Sequence, residues 1–399
     1  MRTLGQLLIG VVICTAPMAV RAQEFKLSDA IFQVHGYVAQ GFVDTNQNNW
    51  LTMNTSTGSF AMTDGAINIS TQITDKFRVG AQVYDRSLGQ LGRWHPDLDW
   101  ADAQYRFTSW LGIRGGKVKT VMGLFNDTQD LDFLRPFALL PQSVYPTDLR
   151  DTTIAHDGGD LFGDIRLGKQ GGTLSYTAYA GHRENSNYGG YHYLLSTQGI
   201  YSSLAGLQYG ADLRWATPLK GLLVGISRLN EDMSGSGTTV DLGPVMPFTL
   251  KSKSDWTNQF YGRYTWNRLE VDSEYRRYYG DYMLFSGLAE LEYDVRGWYL
   301  AGSYRIAKHL QLGSYYSRYS LSTPGMPNLG DSATSGHDYD KVITARVDLN
   351  RFMNIKVEGH FMDGYGVPEY YPNGFYAAVN PQGLKPKTNA LVLRTGFNF

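Results

Sequence analysis

Over most of the chain, apolar and polar residues alternate one by one. In 204–216, Leu207, Tyr209, Ala211, Leu213 and Trp215 share one face, while Gln208, Asp212 and Arg214 share the other. In 268–279, Leu269, Val271 and Tyr275 oppose Glu270, Asp272, Glu274 and Arg276. In 339–349, Ile343, Ala345, Val347 and Leu349 oppose Thr344, Arg346 and Asp348. In 388–399, Leu391, Leu393, Phe397 and Phe399 oppose Arg394 and Asn398. Successive side chains of a strand point to opposite faces, so a period of two predicts strands with one apolar and one polar face. Sixteen such runs can be read, at 31–43, 59–74, 77–86, 98–108, 111–124, 157–168, 171–182, 204–216, 221–230, 254–266, 268–279, 292–306, 309–320, 339–349, 352–363 and 388–399.

The connections between these runs alternate in length. Asp75-Lys76, Ser109-Trp110, Lys169-Gln170, Thr217 to Lys220, Asn267, Ala307-Lys308 and Asn350-Arg351 are short. The others, about 44–58, 87–97, 125–156, 183–203, 231–253, 280–291, 321–338 and 364–387, are long. A soluble β-sandwich has no reason to sort its connections this way. A bilayer-spanning barrel does, with short turns on one side, long loops on the other and an even strand number. The expectation is an all-β fold: a 16-stranded antiparallel transmembrane β-barrel with short periplasmic turns, long external loops and an inward-folded loop 3 at 125–156. Closure is required because lipid cannot solvate an open sheet edge.

Composition sharpens this picture. Charged residues are 18% of the chain, below the usual quarter or so for soluble proteins. Aromatics make up 14%, and there are 45 glycines. The mean hydropathy is nevertheless −0.31, and no apolar run of about 18 residues follows the N-terminal segment, which excludes a helical membrane protein. A net charge of −1 gives no reason to invoke nucleic acid. Residues 1–22 read as a secretory signal: Arg2, an apolar core from Leu7 to Ile13, and Val20-Arg21-Ala22 before a cleavage point that leaves Gln23 first. Residues 23–399 then form a single barrel domain, with no room for a plug domain before the first strand. Cys14 is the only cysteine and lies in the signal, so the mature chain has no thiolate or disulfide. No metal motif stands out, and no cofactor is expected. Phe107, Trp110, Trp215 and Trp266 all fall at short turns, where an inner aromatic girdle belongs.

Three stretches carry a resemblance to a known family. They are Gly115 to Asn126, reading GGKVKTVMGLFN, Lys356 to Gly364, reading KVEGHFMDG, and the closing segment Leu391 to Phe399. These resemble the 16-stranded porins of the phosphate-selective porin O/P type and their relatives. The resemblance implies an outer-membrane channel for passive diffusion of small polar solutes and ions. It also implies a terminal Phe399 read by the barrel-assembly machinery, contact with outer-membrane lipid and lipopolysaccharide, and assembly as a homotrimer. There is one departure. A phosphate-selective pore carries a dense Arg and Lys ladder, whereas residues 126–157 contain only Arg135 and Arg150 among Asp127, Asp130, Asp132, Asp148, Asp151 and Asp157. Phosphate selectivity is therefore not expected.

The candidate site is loop 3. Pro136, Pro141 and Pro146 flank Phe137-Ala138-Leu139-Leu140, an apolar segment suited to packing against the inner wall. Asp127, Asp130, Asp132, Asp148 and Asp151, with Arg135 and Arg150, would then line the constriction. The wall phase offers Arg78, Arg106, Arg114, Arg166, Arg214, Arg263, Arg276, Arg346 and Arg394. An acidic loop facing a basic wall makes a transverse field. The same groups could instead pair and brace the loop. Lumen acids are assigned to Asp102, Asp164, Asp212, Glu270, Asp272, Glu274, Asp294, Asp348 and Glu358, which leaves no strong sign bias and predicts weak selectivity. The alternative is a channel specific for sugars, aromatic compounds or anions, using Tyr191, Tyr193 and Tyr201 in loop four and Tyr365, Tyr370, Tyr371, Phe375 and Tyr376 in loop eight as a stacking slide. A barrel enzyme is the third reading and is not expected. It needs a nucleophile and an oriented base, and the eight histidines are scattered, with His360 beside Glu358 reading as a lumen hydrogen-bond pair.

Overall fold

The computed structural model describes residues 23–27, 30–195, 199–239, 245–324, 334–365 and 379–399. The signal segment 1–22, and Tyr370, Tyr371, Phe375 and Tyr376 of the stacking-slide reading, lie outside the described residues, as does the side chain of Tyr201.

The strands are β1 (Gln23–Leu27), β2 (Ala30–Thr45), β3 (Ser59–Thr74), β4 (Phe77–Leu88), β5 (Asp97–Thr108), β6 (Leu111–Lys119), β7 (Ala155–Arg166), β8 (Thr173–Glu184) and β9 (Gly199–Ala216). They continue with β10 (Leu222–Thr239), β11 (Pro247–Trp266), β12 (Leu269–Leu284), β13 (Ala289–Ala307), β14 (Leu310–Ser322), β15 (His337–Asp348), β16 (Met353–Gly364) and β17 (Lys387–Asn398). From β2 onward each strand pairs antiparallel with the next. β17 then pairs back onto β2, from Ala390↔Thr45 to Asn398↔Tyr37, so sixteen strands close a ring. Phe399 completes the seam by exchanging backbone hydrogen bonds with Gly36 at 2.9 and 3.1 Å.

Three features differ from the sequence reading. The short β1 pairs with β2, Gln23 opposite Val34, and extends the edge that β17 leaves at Tyr37. β6 stops at Lys119 rather than 124, so loop 3 spans 120–154 rather than 125–156. Its first residues bond across the lumen instead of to a neighbouring strand: the Gly123 amide donates to Ser227 Oγ at 2.9 Å. Gly123 has φ +62, and a Cβ there would run into Gln259, Glu274 and Tyr145, so the turn away from the wall requires glycine. Finally, β9 to β13 are 16 to 20 residues long, beyond the ~9–11 needed to cross a bilayer. Their outer ends, such as Ser234 to Thr239, are polar on both faces, so no alternation marks them.

The burial pattern is inverted relative to a soluble protein. Outward side chains are apolar and exposed: Leu207 58%, Tyr209 54%, Leu300 53% and Ile343 60%. Their inward neighbours are polar and sealed, as Gln208, Asp212, Gln259 and Glu274 are. Trp110, Trp215 and Trp266 are exposed beside the short turns, as a membrane-interface belt requires. Among the described residues no helix is long and apolar enough to cross a membrane.

Candidate functional site

Loop 3 leaves β6, crosses the interior of the ring and returns to β7, bonded on the way to strands on every side. Its first stretch follows the β9 to β12 wall. The Arg214 guanidinium donates to the Gly123 carbonyl at 2.8 Å, and the Leu124 amide donates to Glu274 at 3.0 Å. Its middle reaches the seam. Lys356 Nζ donates to Asp132 Oδ1 at 2.8 Å and to the carbonyls of Asp132 and Phe137 at 2.7 and 3.0 Å. Arg394 lies 3.4 Å from Asp132 and also pairs with Asp64. Arg346 donates to the Phe133 and Arg135 carbonyls at 2.6 and 3.0 Å. Glu358 accepts the amides of Ala138 and Leu139 at 2.9 and 3.2 Å. The last stretch is held by Arg276 on the Val144 carbonyl at 2.9 Å, and by Arg86 on the Thr147 carbonyl at 2.8 Å.

The apolar segment packs as its sequence suggests. Phe137 and Leu140 join Tyr145, Tyr299, Tyr315 and Val342 in one cluster. Ala138 and Leu139 join a second cluster with Trp50, Leu51 and Met53. Those three come from the external loop after β2, which also folds over the mouth. Sequence reasoning placed that loop at 44–58 but did not read its inward packing; the signal was the run Trp50-Leu51-Thr52-Met53, apolar residues inside a polar connection.

The loop carboxylates are mostly engaged by cations. Asp130 accepts from Lys119 at 2.6 Å and from Gln82 at 2.7 Å. Asp132 holds Lys356, and Asp127 lies 3.7 Å from Arg214. Asp151 lies 3.7 Å from Arg86 and accepts the Gly190 amide at 3.3 Å, tying loop 3 to the short α1 (Gly190–Leu195) of loop four. Asp148 is fully buried. Of the two loop arginines, Arg150 donates to Asp99 at 2.8 Å over the Tyr84 ring, and Arg135 lies 3.9 Å from Asp132. Burial alone raises a carboxyl pKa, but Lys356, Arg394 and Arg135 outweigh it at Asp132 and hold that group well below the usual carboxylate range. At Asp151 burial wins over Arg86 and the pKa is raised.

Of the nine wall arginines, Arg214, Arg276, Arg346 and Arg394 touch loop 3, and Arg263 lies over the Phe125 ring at 5.0 Å. Arg106, Arg114 and Arg263 pair with Asp164, Asp160 and Asp272. Arg78 donates to Ser70 Oγ at 3.1 Å, and Arg166 is exposed. Among the assigned lumen acids, Asp212 pairs with Arg214, Glu270 lies 3.8 Å from Arg263, and Asp348 pairs with Arg305 and Arg346, while Asp102 is half-buried. Asp294 is a correction. Tyr299 faces inward, donating to Glu274, so Asp294, five residues away in an unbroken ladder, faces outward and pairs with Arg277 and Arg296. The partners Lys119, Lys356 and Arg86 were missed. Lys356 and Arg86 share a readable lumen phase with Glu358 and Gln82. Lys119 shares the phase of outward Lys117 and reaches inside only because the strand ends there.

Glu274 differs from the other buried acids. It accepts from Tyr145 Oη at 2.8 Å, Tyr299 Oη at 2.6 Å, Gln259 Nε2 at 2.6 Å and the Leu124 amide, with no cation in contact. Burial and the facing carboxylate raise the Tyr145 pKa far above its usual value, so its hydroxyl stays protonated and donates. Tyr145→Phe should cost about 1–3 kcal/mol by removing one donor from a sealed carboxylate, read as a shift of the urea unfolding midpoint of the refolded barrel.

By sequence the chain matches no protein-family model and no curated protein. By structure it is similar to OmpT of Vibrio cholerae, with a TM-score of 0.58 at 10% identity over 95% of this chain and 100% of that one. It is similar to the outer membrane channel DcaP of Acinetobacter baumannii, TM-score 0.55 at 11% identity over 94% and 99%. It is also similar to an anion-selective porin from Comamonas acidovorans, TM-score 0.53 at 9% identity over 93% and 100%. At such low identity the likeness is one of architecture, and it covers nearly the whole chain: this protein has the sixteen-stranded barrel fold of the outer-membrane porins.

Proposed function

We propose that this chain is an outer-membrane channel through which small polar solutes and ions diffuse passively, with weak selectivity and with loop 3 as the constriction. The carrying observation is the pairwise neutralisation inside the ring. The carboxylates of loop 3 meet Lys119, Lys356, Arg86 and Arg214, and seven of the nine wall arginines, all but Arg78 and Arg166, meet wall acids or loop 3. Charges so matched leave little net potential to favour one ion sign. The fold neighbours described as channels or porins support diffusion as the activity. The test is the reversal potential in planar bilayers across a potassium chloride gradient, expected to stay near zero. A large, phosphate-dependent anion preference would overturn weak selectivity. A non-enzymatic role belongs to the same reading, and turnover in a peptide or lipid hydrolysis assay would overturn it.

The remaining parts of the proposal concern biogenesis and assembly. Residues 1–22 are removed near Ala22, the barrel-assembly machinery recognises the Phe399 strand, and the barrel sits among outer-membrane lipid and lipopolysaccharide as a homotrimer. The Phe399 ring lies against Gly36 where the last strand closes the ring, which supports a joint role in sealing and recognition.

A further inference from the structure

Among the described residues, every arginine on an outward face of a strand lies on β10 to β14. Arg228, Arg277 and Arg296 lie on one continuous row of paired residues, Arg228↔Asn258↔Arg277↔Arg296, and Arg318 sits on the next strand opposite Trp298. The opposite wall, β2 to β5, has no outward arginine; its outward residues include Val38, Ile67, Val83 and Leu98, all exposed and apolar. Charge on the lipid face is costly at mid-depth and tolerated near the rim. Arg277 and Arg318 are each the ninth residue of their strands counted from the short turns, which places them at the outer rim of a ~9–11-residue span.

The patch is built rather than scattered. The Trp256 ring lies between Arg228 and Arg277, with guanidinium carbons 4.5 and 5.4 Å from its centroid, and Arg318 lies 4.3 Å over Tyr339. Aromatic faces orient guanidinium groups without neutralising them. Asp294 alone serves both Arg277 and Arg296. Arg228 bonds only to the amides of Asn230 and Asn258, and Arg318 only to the Tyr339 hydroxyl. Four guanidiniums therefore share one carboxylate, and two of them keep their charge unmatched. Directly below, Phe260, Tyr275 and Leu300 are exposed and apolar.

Resting on the reading of the chain as an outer-membrane barrel, we propose that this face binds a phosphorylated, multiply acylated glycolipid of the outer leaflet. Its phosphates would bridge the arginine row and its acyl chains would lie on the aromatic and aliphatic residues beneath. Guanidinium and phosphate match as bidentate partners, and the fixed aromatic seats reduce the ordering cost.

The full mature barrel, refolded in detergent, is offered bisphosphorylated lipid A, its dephosphorylated form and inorganic phosphate, and bound lipid is counted by native mass spectrometry. Bisphosphorylated lipid A should be retained about tenfold better than the dephosphorylated form, a difference of about 1.4 kcal/mol. The combined R228Q/R277Q/R296Q/R318Q variant should lose that preference, and K117Q/K387Q, which alters outward lysines elsewhere, should keep it. The single variants Arg228→Gln and Arg318→Gln, each removing a cation with no carboxylate partner, should lower retention individually and keep the test open if the combined variant fails to fold. Retention unchanged in the folded variants overturns the proposal. So does a variant that keeps the lipid but loses an oligomer mass, which would make the face a contact with a second copy. Inorganic phosphate that competes and also blocks current would instead put the anion site in the lumen. Failure of the channel reading is read separately, as absence of conductance in the unaltered protein.

Discussion

Excising residues 126–149 and joining the ends with two glycines should raise single-channel conductance severalfold while the barrel still refolds. A sixteen-stranded ring is wide enough for an aqueous channel unless something occupies it. Here the occupant is loop 3, which reaches Glu274 and Arg276 on β12, Glu358 on β16, Arg394 on β17 and Arg86 on β4. The ring itself is closed by strand pairing alone, without the loop. Excision would leave Lys356, Glu358 and Glu274 facing water, where they are solvated, so the cost to the barrel is modest. Planar-bilayer recordings of the excised and intact proteins check this. An unchanged conductance would mean that another segment limits the path.

The second large effect belongs to Lys356. It is fully buried and gives all three of its hydrogen bonds to loop 3. Lys356→Met should destabilise the loop by about 1.5–3 kcal/mol, because it removes the closest cation from the sealed Asp132 carboxylate and leaves it only Arg394 at 3.4 Å and Arg135 at 3.9 Å. Adding Asp132→Asn should recover much of that loss, since removing both members of a buried pair is far milder than removing one. The readout is the unfolding midpoint together with current noise, which a loosened loop should increase. Acidity offers an independent test. The Asp132 pKa is depressed in the folded state, so its contribution is fully present above the ordinary carboxylate pKa of about 3.9 and fades only as pH falls below that toward the depressed value. The contribution of the Asp132 carboxylate itself should therefore be unchanged between neutral pH and about pH 5 and weaken only in stronger acid. The check is the difference in unfolding midpoint between the unaltered protein and Asp132→Asn; a difference that shrinks already between pH 7 and 5 would overturn this.

Much of the architecture is legible in the alternation of residues along the chain. Alternation places Leu207, Tyr209 and Leu213 outside and Gln208 and Asp212 inside, because a strand has only two faces and lipid admits only one kind of residue. The seven short connections and the apolar block Phe137 to Leu140 were equally readable. Strand ends were less so. β6 stops at Lys119 because Gly123 and Leu124 find partners across the lumen on Ser227 and Glu274, more than a hundred residues away in sequence. Asp294 was assigned to the wrong face because near the outer end of 292–306 the outward phase carries Glu292, Asp294 and Arg296 and the inward phase Tyr293, Val295 and Gly297, so the usual polarity of the two faces is reversed where water replaces lipid.

Alternation along the chain is enough to specify the ring: an even set of strands, their inner and outer faces, and a last strand running up to Phe399. Those are consequences of local periodicity under a two-solvent constraint. Which charges meet inside the ring was decided only by the tertiary structure. Asp132 could have faced any of nine wall arginines; it meets one of them, Arg394, and holds Lys356 more closely, which no local pattern links to it. Coulomb attraction between two residues 224 apart depends on where the closed barrel brings them, and in a buried site that geometry outweighs everything the flanking sequence expresses.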